Sequence, residues 1–273
     1  MRPVLEILDC HHHVGGVGGA LGEESQAEMP LRAEMSERLA IMDRDGVAQA
    51  CVIPGHGYEH PNGIADTRRV NDGIAAYRDE RRDRFPAAVG IVEPTHGAAS
   101  LAELDRCKHE LDLVGISLHV RYQGVGLDHP WVLRYVGHMA ELGLVPFLHA
   151  FPDSVEEALW KVARLGAAHP EVPMLVIDGF ASVESAKELF DVAERCEHLV
   201  FDTSLAMLEE QVEGFIERFG AHRVVFGTDL YSPPHGRRIS PLLPLLLAAD
   251  YLSEEERALV LGGNARRLLG IDA

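Results

Sequence analysis

Cysteine is scarce in this chain, with four in 273 residues: Cys10, Cys51, Cys107 and Cys196. No two form a C-x-x-C pair, which excludes a zinc knuckle and a disulfide framework and fits a reduced, cytoplasmic protein. Positive charge is also short. Lys and Arg number 25 against 43 Asp and Glu, a net charge of −18. That balance offers no basic stripe for nucleic acid and no attraction to anionic lipid. No apolar run approaches the ~18–20 residues of a membrane span. Residues 1–8 lack the apolar stretch and cleavage site of a signal peptide. Internal repeats, low-complexity tracts and linkers are missing too, so one domain over 1–273 is expected. A hydrophobic content of 47% suffices for one large core. The dinucleotide-binding order G-x-G-x-x-G is lacking as well. "HVGGVGGALG" (13–22) is glycine-rich in another order and runs on into "EESQAEMP" instead of a helix.

What the chain does have is rhythm. Short runs rich in Val and Ile fall at 4–8, 50–53, 87–92, 114–118, 145–148, 174–177, 199–201 and 224–226. Their spacing is that of βα units. Helical patterns fill the gaps at 36–45, 67–82, 98–111, 131–142, 155–169, 183–195 and 207–219. Ser154 with Glu157, and Ser253 with Glu256, read as capping boxes. Strands that are apolar throughout are buried on both faces, as in a parallel sheet. The expected fold is an α/β protein, a single (β/α)8 TIM barrel, with a doubly wound sheet as the competitor. The segment 15–30 is the longest loop and would lie above the catalytic face as a lid or a plain loop.

In such a barrel the chemistry sits at the C-terminal ends of the strands. The first run feeds directly into "LDCHHHVGG" (8–16). A histidine tag would stand outside the fold, whereas these histidines follow a buried strand. Side-chain alternation puts Asp9, His11 and His13 on one face, with Cys10 and His12 on the other as packing residues. Asp9 then reads as a buttress of the strand or an orienting carboxylate. The later strand ends offer His56 and Tyr58, Glu93, His119 and Arg121, His149, Asp178, Asp202 and Asp229. His11 and His13 from the first strand, His149 from the fifth and Asp229 from the eighth would converge on one divalent metal. Three nitrogens and one oxygen suit zinc, with manganese, iron or cobalt as alternatives. An open coordination position would hold a water acidified toward pH ~7, with Asp229 taking its proton.

The order of these motifs resembles the amidohydrolase superfamily, specifically the amidohydrolase-2 branch that includes aminocarboxymuconate-semialdehyde decarboxylase. "ILDCHHHVG", "MDRDGVAQACVIP", "RRDRFPAAVGIVEP", "GISLH", "VPFLHA", "VVFGTDLYSP" and "GGNARRLLGI" carry the resemblance across essentially the whole chain. It implies a metal site of His11, His13, His149 and Asp229. "GISLHV" has no lysine to bridge a second metal, so one ion is implied. Relatives carry a histidine near the end of strand 6, where this chain reads "VIDGFA" with Gly179 at the matching position. Proton transfer would then fall to His119 and Asp229.

The leading functional reading at this level is a metal-dependent hydrolase of a small cyclic ester or amide, such as a lactone. The alternative is a non-oxidative decarboxylase or hydratase of a small unsaturated or aromatic acid. A third is a non-catalytic paralogue that keeps the metal. Arg121 is the candidate clamp for a substrate carboxylate. His56, Tyr58 and Tyr231 are candidates for the pocket wall, and "HGRR" (235–238) reads as a solvated turn. The expected partners are a small-molecule substrate and further copies of the chain, as a homodimer or larger homo-oligomer.

Overall fold

The computed structural model describes residues 5–15, 31–55, 62–151, 153–232 and 240–272. Strands and helices alternate: β1 (Ile7–Val14), α1 (Leu31–Asp45), β2 (Val47–Pro54), α2 (Ile64–Glu80), β3 (Ala87–Ile91), α3 (Ala98–His109), β4 (Gly115–Leu118) and α4 (Pro130–Leu142). The series continues with β5 (Val145–His149), α5 (Leu159–Ala168), β6 (Met174–Ile177), α6 (Val183–Arg195), β7 (Leu199–Asp202), α7 (Glu209–Phe219) and β8 (Val224–Val225). Three short helices follow, α8 (Leu242–Ala248), α9 (Glu254–Ala258) and α10 (Asn264–Leu269).

The eight strands pair in the order β1 to β8, every ladder parallel. The chain leaving β8 closes the circle along β1. Cys10 N–H donates to Phe226 O at 2.9 Å, Asp229 N–H to His11 O at 2.9 Å, and His13 N–H to Leu230 O at 2.7 Å. The fold is the expected (β/α)8 barrel. Leu8, Cys10, Ile53, Val89, Phe147, Leu175, Ile177 and Val225 fill its interior. A larger apolar layer lies between strands and helices. No described helix is long and apolar enough to cross a membrane.

Local chemistry explains several boundaries. Pro130 opens α4, and Gly143 closes it in the left-handed conformation, φ 66°. The box of Ser253 and Glu256 forms at α9 as expected. The box expected at Ser154 and Glu157 does not form. Glu157 N–H donates to Ser154 Oγ at 3.3 Å, but the Glu157 carboxylate turns inward to His119, and α5 starts only at Leu159. A serine pair, Ser182 with Ser185, caps α6 instead, a variant without the Glu or Gln that the pattern seeks.

Candidate metal centre

β1 carries its histidines through a bulge. Asp9 pairs with Ala50 but His12 with Val52, so β1 holds one residue more than β2 between these rungs. An extra residue reverses the alternation. The expected grouping of Asp9 with His11 and His13 is therefore corrected. Asp9 lies with His12, its Oδ2 2.8 Å from His12 Nδ1, and it accepts from Thr228 and from the His11 N–H. It buttresses the strand. His12 is buried away from the site, as expected, but Cys10 does not share its side and packs instead in the barrel interior. The bulge leaves both His11 and His13 at the barrel mouth.

The partners of these two rings fix their tautomers. His11 Nδ1 lies 2.7 Å from Asp202 Oδ2, and His13 Nδ1 lies 3.0 Å from the Pro54 carbonyl. Both acceptors require a proton on Nδ1, which leaves a lone pair on each Nε2. Those two nitrogens face one another at 2.9 Å. Asp229 Oδ1 stands 3.3 Å from both and has no hydrogen-bond partner among the described residues. Two lone pairs and a carboxylate oxygen converging in a buried place call for a cation. A divalent ion fits this donor set. Without one, a proton is the substitute: although burial opposes it, Asp202 raises His11 to about 10, while burial and charged His11 push His13 well below its ordinary value.

His149 completes the histidine cluster: its ligand atom and those of His11 and His13 lie within 4.8 Å of one another. Its Nδ1 is 3.1 Å from Asp178 Oδ2 and its Nε2 is 3.1 Å from Ser117 Oγ. Asp178 is where the structure departs most from the sequence reading. The resemblance puts Gly179 at the position where relatives carry a histidine. A Cβ on Gly179 would instead meet Leu189 Cδ1 of α6 at 2.5 Å, in the layer outside the barrel. The strand-6 residue that faces the site is Asp178, and position 179 leaves no vacancy there.

His119, at the end of β4, stacks on His149 with ring centroids 3.7 Å apart. Its Nδ1 is held by buried Glu157 at 2.6 Å. Glu157 also accepts from Arg121 N–H at 3.1 Å and faces Arg121 Nε at 3.4 Å. The Arg121 guanidinium lies over Phe151 and Tyr122, with Nη2 3.5 Å from His119 Nε2. Burial pushes the Glu157 carboxyl up to about 8 and the His119 imidazole well below its ordinary value. Tyr231 stacks on His13 at 4.6 Å and hydrogen-bonds Asp229. His11, His13, His149, Asp229, His119, Arg121 and Tyr231 thus gather at one mouth. His56, Tyr58, the "HGRR" turn and residues 16–30 of the expected lid lie outside the described residues.

Four contributors were assigned no part in the site from the sequence. Asp202 orients His11 across 191 residues of chain. Asp178 and Glu157 support His149 and His119. Fully buried Arg38 of α1 donates to the His13 carbonyl at 2.8 Å and to Ser232 Oγ at 2.9 Å, fixing the end of β1. Asp202 and Asp178 close their strands and could be suspected on that ground. Glu157 and Arg38 give no signal, because their partners lie far away in sequence.

Known proteins agree with this architecture. A curated relative, 2-amino-3-carboxymuconate-6-semialdehyde decarboxylase of Dictyostelium discoideum, is 23% identical over 279 residues, covering 86% of this chain and 76% of its own. Among solved structures, 5-carboxyvanillate decarboxylase from Sphingomonas paucimobilis superposes with a TM-score of 0.73 at 17% identity, covering 98% of this chain and 100% of that one. A dihydroxybenzoic acid decarboxylase from a Polaromonas species, solved with manganese and 2-nitroresorcinol, gives 0.73 at 15% identity, covering 98% of both chains. At these identities the solved structures speak to the fold. The profile of the amidohydrolase family, amidohydrolase-2 branch, matches residues 8–271, and the chain belongs to that family.

Proposed function

We propose that this chain is a metal-dependent, non-oxidative decarboxylase of a small aromatic or unsaturated carboxylic acid. The observation that carries the reading is Arg121, a cation set beside His119 and His149 in a mouth otherwise rich in carboxylates. An anionic substrate needs such a group, and a neutral lactone does not. The decarboxylases among the relatives support the same order, so the lactone hydrolase becomes the competing reading.

His11, His13, His149 and Asp229 would hold the divalent ion. Manganese is supported by the manganese-bound relative. When bound, the ion supplies a Lewis acid that draws electron density from a substrate oxygen. Arg121 grips the substrate carboxylate, its guanidinium flattened between Phe151 and Tyr122. The carbon–carboxylate bond breaks, its electron pair stays on carbon, and that carbon takes a proton as carbon dioxide leaves. The proton comes from the pair of His119 and Glu157. Their 2.6 Å contact passes it from the carboxyl to Nδ1 as Nε2 gives its own to carbon.

The test incubates the manganese-loaded protein with hydroxybenzoates, unsaturated acids and lactones. Carbon dioxide release is expected from one acid class, with one deuterium per product molecule in heavy water. Arg121→Met should raise KM more than it lowers kcat. Lactone opening without carbon dioxide from any acid refutes the proposal.

A further inference from the structure

We propose that Asp178 is itself a ligand of the metal centre, which gives it two carboxylates beside its histidines. The inference rests on the metal site of the reading above but is independent of decarboxylation.

The placement comes first. One ligand atom from each of His11, Asp178 and Asp229 lies within 4.8 Å of the others. The backbone comes second. Only four non-glycine residues among those described have positive φ, and two are Asp178 at 67° and Asp229 at 55°. A left-handed aspartate costs on the order of 1–2 kcal/mol against an ordinary conformation. At both positions the strained turn directs a carboxylate at the same place. At β6 the turn is secured: Asp178 N–H donates to Asp202 Oδ1 and Ser204 Oγ, each at 3.1 Å, and Ser204 Oγ reaches Asp178 Oδ1 at 3.0 Å. Asp202 therefore sets both His11 and Asp178. Gly179, which follows, leaves room for Leu189 Cδ1, which a Cβ there would meet at 2.5 Å.

Asp178 and Asp229 bring two carboxylates to one place, where their like charges repel. A divalent cation between them removes the conflict. Neutral histidines and Asp229 alone would leave that ion with an excess positive charge, and Asp178 completes neutrality. The extra oxygen also moves the donor set from one suited to tetrahedral zinc toward one suited to manganese.

The experiment measures Mn²⁺ and Zn²⁺ dissociation constants of the metal-stripped protein by chelator competition. Asn is at home at positive φ, so Asp178→Asn keeps the turn and an acceptor for His149 Nδ1 while removing the charge. Asp178→Gly, also compatible with that backbone, serves if the first variant folds poorly. Mn²⁺ binding is expected to weaken at least tenfold in either variant, and Zn²⁺ binding less. X-ray absorption of the Mn²⁺-loaded protein should show one light ligand fewer. A group that only props His149 would add nothing once that ring is gone. Asp178→Asn in a His149→Ala background should therefore still weaken Mn²⁺ binding. Mn²⁺ affinity within twofold of wild type, or no further loss in the double variant, overturns the assignment. If the wild-type protein binds neither metal, the metal-centre reading falls with it.

Discussion

Asp202→Asn is the most informative single substitution, because it changes one atom in a fully buried network. Asp202 uses both oxygens: Oδ2 accepts from His11 Nδ1 at 2.7 Å, and Oδ1 accepts from Asp178 N–H at 3.1 Å and lies 2.7 Å from Ser204 Oγ. An asparagine has one oxygen. If that oxygen serves His11, the amide NH2 points at Asp178 N–H, donor against donor, a buried conflict of about 1–3 kcal/mol. If it serves Asp178, the NH2 faces His11 Nδ1. The ring must then carry its proton on Nε2, the nitrogen that faces His13. The first orientation lowers stability and the second blocks the metal. Loss of a carboxylate behind a ligand histidine costs roughly 10–100-fold in metal affinity, ~1.4–2.7 kcal/mol. Chelator competition with Mn²⁺ gives the affinity, and urea unfolding of the metal-stripped protein gives the stability. Calorimetry in buffers of different ionisation enthalpy adds a third reading. Wild-type protein at pH 7 holds a proton on His11, raised to about 10, and should release it as metal binds. The variant should release less. Unchanged affinity together with unchanged stability would refute the assignment of Asp202 as the group that orients His11.

Two further outcomes follow from packing and titration. Gly179→Ala places a methyl 2.5 Å from Leu189 Cδ1, so it should destabilise by about 1–3 kcal/mol, and Gly179→His by more, without gain of decarboxylation; urea midpoints and product assays check both. Glu157, pushed up to about 8 by burial, keeps its proton in the folded chain where an unfolded glutamate has lost it, so folding takes up a proton between pH ~4.5 and 8. Stability should therefore be lost as pH rises through that window, by at most roughly 4–5 kcal/mol at ~1.4 kcal/mol per unit, and Glu157→Gln should flatten the profile. Urea titrations of metal-stripped protein at pH 5 and 8.5 test this, and a variant with the wild-type slope would remove Glu157 as its source.

The sequence by itself determined the barrel. Eight buried runs at βα spacing admit few other arrangements, and polar residues at their ends mark the chemical mouth. His11 and His13 were legible as a pair because i and i+2 share a face of a strand. The tertiary structure decided what alternation could not. A single extra residue in β1 moved Asp9 over to His12, and no local pattern in "DCHHH" announces that bulge, since it answers to the register of β2. Glu157 read as a helix cap from its neighbours, yet a buried imidazole 38 positions earlier took its carboxylate. At the end of β6 the backbone, left-handed at Asp178 and with Leu189 behind Gly179, decided which residue lies at the mouth. Sequence periodicity reports which side of an element is apolar. Which polar group meets which depends on contacts between distant segments, and these exist only once the barrel has closed.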